Sequence, residues 1–163
     1  YVDNKSNGRR VERWTLDNKT SVAIENTPGQ CFGLFVDQND SIYCSLGRSH
    51  RVIRAAKNEP NRSVTIAGNG SIGSASNMLH EPTGIFVDLN FTLFVADCGN
   101  HRVQRFFLNE RNGDTVVGSG SSDSITLSCP RSVVIDGDGY LFVADTWNNR
   151  LIRGSAEGYA CIV

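Results

Sequence analysis

Hydrophobic positions in this chain come in short runs of about five residues, each closed by Gly, Asn or Asp. Between Leu79 and Phe107 the runs are GIFVD (Gly84–Asp88), LFVAD (Leu93–Asp97) and RVQRFF (Arg102–Phe107), the last with apolar and charged residues partly alternating. Short β-branched and aromatic runs bounded by turn residues predict strands. No segment has the length or the 3.6-residue period of a helix. Leu89–Thr92 fits a hairpin loop and Cys98-Gly99-Asn100 a tight turn, so three strands joined this closely form an antiparallel meander.

The pattern repeats, and a repeat decides the fold. Leu127–Arg153 superposes on the first stretch without a gap, matching Pro130 to Pro82, Asp136 to Asp88 and Asp145 to Asp97. Asn148, Arg150 and Arg153 likewise match Asn100, Arg102 and Arg105. A divergent copy spans Cys31–Arg54, and a partial one ends at Trp14. The matched residues Asp37, Asp88 and Asp136 are 51 and 48 residues apart. Ser63–Ala67 and Thr115–Val117 supply a fourth strand to two copies. After the last copy, Gly154–Val163 leaves no room for one.

A four-strand meander recurring at this spacing predicts an all-β fold, a β-propeller of four-stranded antiparallel blades. About three to four blades are present: a partial blade at 1–25, blades at 30–68 and 79–118, and one at 127–153 lacking its last strand. The pattern P-x-G-[IV]-x-V-D…L-[FY]-V-A-D-x-x-N-x-R-V-x-x-F resembles the NHL repeat. Val87-Asp88, Val95-Ala96-Asp97 and Asn100–Val103 carry the likeness. Leu46 stands where the family has Asp, Cys31 where it has Pro, and Ser132 where it has Gly. Propellers close with about four to eight blades, and those of this family usually with about six. Flanking sequence would then supply the rest of the ring.

The recurring polar residues read as architecture. Asp97 with Arg102, and Asp145 with Arg150, lie five apart across a tight turn, where the carboxylate can hold turn N–H groups and the guanidinium. Leu46 removes this pairing for Arg51. Asp37, Asp88 and Asp136 recur at strand ends, which points to turn stabilisation rather than a unique catalytic carboxylate. Gly68–Gly73 fits G-x-G-x-x-G, but no helix follows, and Gly118-Ser119-Gly120 recurs at the same place; an inter-blade turn explains both.

Composition narrows the function classes. A net charge of −1 in 163 residues gives no electrostatic footprint for nucleic acid. The paired arginines, three apart on each strand, point to opposite sides and build no basic stripe. No apolar run approaches the roughly twenty residues of a membrane span. Six N-x-[ST] sequons, at Asn4, Asn18, Asn39, Asn61, Asn69 and Asn90, fit a chain of the extracellular space or secretory pathway, with turn composition in a cytoplasmic protein as the alternative. Five cysteines without C-x-x-C spacing argue against a zinc site. Cys31 and Cys44, in the most divergent copy, hint at a local bridge, and Cys161 is the candidate for a partner outside the chain.

The residues that fail to recur are where function is expected. His80 is matched by Gln30 and Ser128, so no set of histidines stands at one radius, unlike the zinc-holding histidines of the amidating lyases that share this architecture. His50 and His101 occupy equivalent turns. No catalytic set, metal site or cofactor is expected. The expected function is non-enzymatic recognition of a protein, peptide or glycan through loops on one face, with His80, His101, Trp147 and Asn148 as candidate contacts. Trp147 would anchor a partner or else fill a gap between blades. The alternatives are a metal-dependent propeller lyase or hydrolase, and a substrate- or RNA-recognition propeller of the intracellular ubiquitin-ligase type.

Overall fold

The computed structural model describes residues 2–4, 10–14, 21–26, 29–59, 62–122, 125–155 and 158–163. The first sheet has three antiparallel strands, β1 (Val2–Asn4), β2 (Arg10–Trp14) and β3 (Ser21–Asn26). Three four-stranded meanders follow. The second sheet is β4 (Gly33–Val36), β5 (Ile42–Leu46), β6 (Arg51–Ala55) and β7 (Ser63–Ala67). The third is β8 (Pro82–Val87), β9 (Leu93–Asp97), β10 (Arg102–Phe106) and β11 (Asp114–Gly118). The fourth is β12 (Pro130–Ile135), β13 (Leu141–Asp145), β14 (Arg150–Ser155) and β15 (Gly158–Cys161).

Strand β15 corrects the expectation that the last copy lacks its outer strand. It pairs with β14 from Ile152↔Cys161 to Ser155↔Gly158. The segment Gly-Tyr-Ala-Cys has a single strand-favouring residue, Tyr159, and no β-branched one, too little for a pattern to announce a strand. An outer strand nevertheless needs only four residues once a neighbouring edge offers its backbone groups.

Each first hairpin is closed by its aspartate. Asp37 Oδ1 accepts N–H bonds from Asn39 and Ser41 at 2.8 and 2.9 Å. Asp88 does the same for Asn90 and Thr92, and Asp136 for Asp138 and Tyr140. Three identical caps confirm turn stabilisation as the reason for the repeat.

The sheets pack face to face through apolar clusters. Val52, Ala67 and Tyr43 of the second sheet meet Ile85, Val87, Leu93 and Val95 of the third. Phe94, Ala96, Val103 and Val117 of the third meet Val133, Leu141, Val143 and Ile152 of the fourth. The innermost strands approach so closely that a Cβ on Gly84 would lie 2.5 Å from the Arg131 carbonyl oxygen, and one on Gly33 would collide with the Thr83 carbonyl. Glycine at these two positions is therefore a packing requirement. The outward face of the fourth sheet has no such cover: Val134 and Leu151 are exposed, whereas Val103, equivalent to Leu151, is fully buried.

Tyr43 ties the second sheet's hairpin to its core. Its hydroxyl donates to Asp37 Oδ2 at 3.0 Å. Burial, reinforced by the Asp37 carboxylate, pushes the phenol up to about 12. The folded value exceeds the unfolded one, so the contribution is fully present below about pH 10 and is lost as pH rises through about 12. Melting temperature should fall between those limits more steeply in the wild type than in Tyr43→Phe; parallel profiles would contradict the assignment.

Candidate functional site

In each of the three four-stranded sheets the second-to-third strand connection is a single 3-10 turn followed by a left-handed residue, His50, His101 or Asn149. At the third sheet, Asp97 is fully buried and its carboxylate holds the whole corner. Oδ1 accepts the His80 N–H at 2.7 Å; Oδ2 accepts Asn100 Nδ2 and Arg102 Nε, both at 2.8 Å. Arg102 also donates from Nη1 and Nη2 to the carbonyls of Ser74, Ala75 and Met78. The glycine-rich segment is thus the rope by which one blade is tied to the next, and Ile72 bridges Leu79 within it.

The fourth sheet repeats the corner: Asp145 accepts Ser128 N–H at 2.6 Å and Asn148 Nδ2 and Arg150 Nε at 2.8 Å. The second sheet does not. Leu46 is buried there with Val11, Ile53 and the Cys31–Cys44 disulfide. Arg51 keeps a buried Nε with no partner. The lost ion pair is replaced by apolar packing and a covalent link.

These corners decide what the sequence-derived candidates can offer. His80 lies with its ring against Gly99 and edge-to-face with His50 at 5.8 Å. Counted back from Gly33 as His80 is from Gly84, its counterpart is Gly29 rather than Gln30. His50 Nδ1 accepts the Glu81 N–H at 3.2 Å, and His101 Nδ1 accepts the Cys129 N–H at 3.1 Å, so both rings link adjacent blades. Asn148 is exposed but has its amide N–H on Asp145. Trp147 does not fill a gap: it is 63% exposed, with its ring 6.3 Å from that of His101. Of the sequons, Asn39, Asn69 and Asn90 have exposed side chains. Asn18 and Asn61 lie outside the described residues, as does the side chain of Asn4.

One cleft opens on this loop face, with a volume of about 380 Å³. Phe32, Arg48, Glu81 and Arg131 line it, and all four are exposed. Its floor includes Gly47 and Cys98, equivalent turn residues of neighbouring sheets. Cys98 is bonded to Cys129 on the entry to the next sheet, a bridge between blades that sequence reasoning left open. The sequence reading also missed the cleft. Its signal was non-recurrence, since Phe32 stands opposite Thr83 and Arg131, and Arg48 opposite Gly99 and Trp147. Among the described residues, no group of three or more His, Cys, Asp or Glu could hold a metal ion.

No family model and no curated protein matches the sequence. Solved structures match over nearly the whole chain. A chain of a nidogen/laminin complex is 21% identical with a TM-score of 0.73, covering 94% of this chain and 58% of that one. A streptogramin B lyase is 14% identical, with a TM-score of 0.68 and 94% and 47% covered. A nutrient-binding protein from Bacteroides thetaiotaomicron is 13% identical, with a TM-score of 0.70 and 93% and 43% covered. The chain folds as part of a β-propeller. It spans about half the length of these structures. At such identities the likeness carries the fold alone, and the lyase carries no activity to this propeller.

Proposed function

We propose that this is a non-enzymatic recognition propeller of the NHL type, which binds a protein or peptide partner across its loop face. The observation that carries the reading is the cleft lined by residues of the second, third and fourth sheets, walled by side chains that no repeat requires. In the third and fourth sheets the recurring Asp, Asn and Arg of this face are spent on the corners. Phe32, Arg48, Glu81 and Arg131 are not, and exposed Trp147 belongs to the same sheet as Arg131. Exposed aromatics and arginines are the residue types that dominate interface energies. The two arginines outweigh Glu81, so an acidic segment with an apolar contact is the favoured partner.

The two disulfides fit an oxidising compartment, which supports an extracellular or secretory setting and glycans on exposed Asn39, Asn69 and Asn90. Among the described residues no helix is long and apolar enough to cross a membrane. The uncovered face of the fourth sheet matches the face that the third sheet buries, so a further blade fits there.

Panning a random peptide library on the immobilised chain tests the reading. Acidic peptides with an aromatic or aliphatic residue should be enriched. Trp147→Ala should weaken a partner that extends from the cleft over the fourth sheet's turn by about 2 kcal/mol or more, with melting temperature unchanged. Loss of folding in Trp147→Ala, or enriched peptides indifferent to Arg48→Glu and Arg131→Glu, would sink it.

A further inference from the structure

The repeat supplies its own reference for a second site, on the face opposite the loops. Arg54, Arg105 and Arg153 occupy one position on the third strands of successive sheets. Arg105 is paired across the sheet with Asp114 and meets its carboxylate at 3.2 Å. Arg153 lies over the Tyr140 ring at 3.7 Å. Arg54 has neither. Its cross-strand neighbour is Val64, where the third sheet has Asp114. Its guanidinium sits beside the Tyr43 phenol and no carboxylate pairs with it among the described residues; its Nε, like that of Arg105, is buried without an acceptor.

This cation lines a cavity of about 240 Å³ between the second and third sheets. The walls are Ile66, Phe91, Leu93 and Phe106, and the rim is Phe107–Arg111, the hairpin of the third sheet. That hairpin is peculiar: Phe107 and Leu108 are exposed large hydrophobics, while the equivalent stretch Ala56–Arg62 is polar. Exposed Val64 adjoins them. A largely apolar cavity lined by two arginines and a single acid, with Arg54 lacking the carboxylate its counterpart Arg105 has, suits a ligand with a hydrophobic body and an anionic end. Glu110 is the only acid among the lining residues, and Arg111 stands beside it.

The geometry points to a binding site for a small hydrophobic carboxylate, its aryl or alkyl group against Phe91 and Phe106 and its carboxylate on Arg54. The same chemistry is offered by a free organic acid or by the C-terminal residue of a peptide. The proposal is independent of the loop-face reading.

Nuclear magnetic resonance of the labelled chain tests it, following the Arg54 Nε–H signal. The probes are 3-phenylpropionate, its neutral amide, a peptide ending in Phe with a free carboxylate, and the same peptide amidated. At least one carboxylate probe should shift the Arg54 signal and saturate, with its amide about tenfold weaker or more. Which carboxylate binds identifies the source. Arg54→Gln should abolish binding. Val64→Asp, at an exposed position, should also abolish it by restoring the internal ion pair, with melting temperature maintained. Equal binding of acid and amide, full binding by Val64→Asp, or no shift with either carboxylate at about 10 mM would overturn the proposal.

Discussion

Replacing Asp97 with Ala should cost about 3–5 kcal/mol, the largest effect of any single substitution considered for this propeller. The carboxylate is fully buried and receives Arg102, Asn100 and the His80 N–H. Removing it leaves a guanidinium that is only 6% exposed without its carboxylate. The penalty is mostly that of the orphaned charge. Asp145→Ala provides the comparison, because the same bonds are made there but Arg150 is 29% exposed. Its cost should therefore be smaller, about 1–3 kcal/mol. The second sheet has already made this change at Leu46 and compensates with apolar packing and a disulfide. Urea denaturation of the two variants checks the order; equal losses would show that burial of the arginine does not set the cost.

Removing the Cys98–Cys129 bridge, as the double alanine variant, should cost about 3–4 kcal/mol by loop-closure entropy for a separation of 31 residues. The Cys31–Cys44 bridge closes a shorter loop, with a separation of 13, and should cost about 3 kcal/mol. What separates the two is location. The first joins a turn of the third sheet to the entry of the fourth; the second lies within one blade. Hydrogen exchange should show the segment 127–130 losing protection only when Cys98–Cys129 is removed. Loss of protection there on removing Cys31–Cys44 would mean that the inter-blade bond is not what secures the fourth sheet.

The architecture was legible because a propeller repeats its requirements. Asp97 and Arg102 stand out in sequence only beside Asp145 and Arg150, and Leu46 correctly marked the corner whose arginine lacks its partner. Legibility failed where a feature occurs once. Cys98 and Cys129 sit at non-equivalent positions of successive copies, so comparing copies cannot pair them. Strand β15 escaped because it has only one strand-favouring residue, Tyr159, and its pairing is imposed by the β14 edge. The cleft escaped because its walls come from three copies, Phe32 and Arg48 from one, Glu81 and Arg131 from the next two. Histidines 80 and 101 drew attention as rare polar residues, yet their rings or backbones are engaged between blades.

One comparison tests the division between residues that hold the corners and residues that recognise a partner. Stability and binding to a peptide enriched on the wild-type chain should be measured together for Asp145→Ala and for the double variant Arg48→Glu/Arg131→Glu. The double variant should keep the wild-type urea midpoint and lose binding by about tenfold or more. Asp145→Ala should lose stability and, at a temperature where it remains folded, still bind. A double variant that binds as tightly as the wild type would contradict the assignment of the cleft.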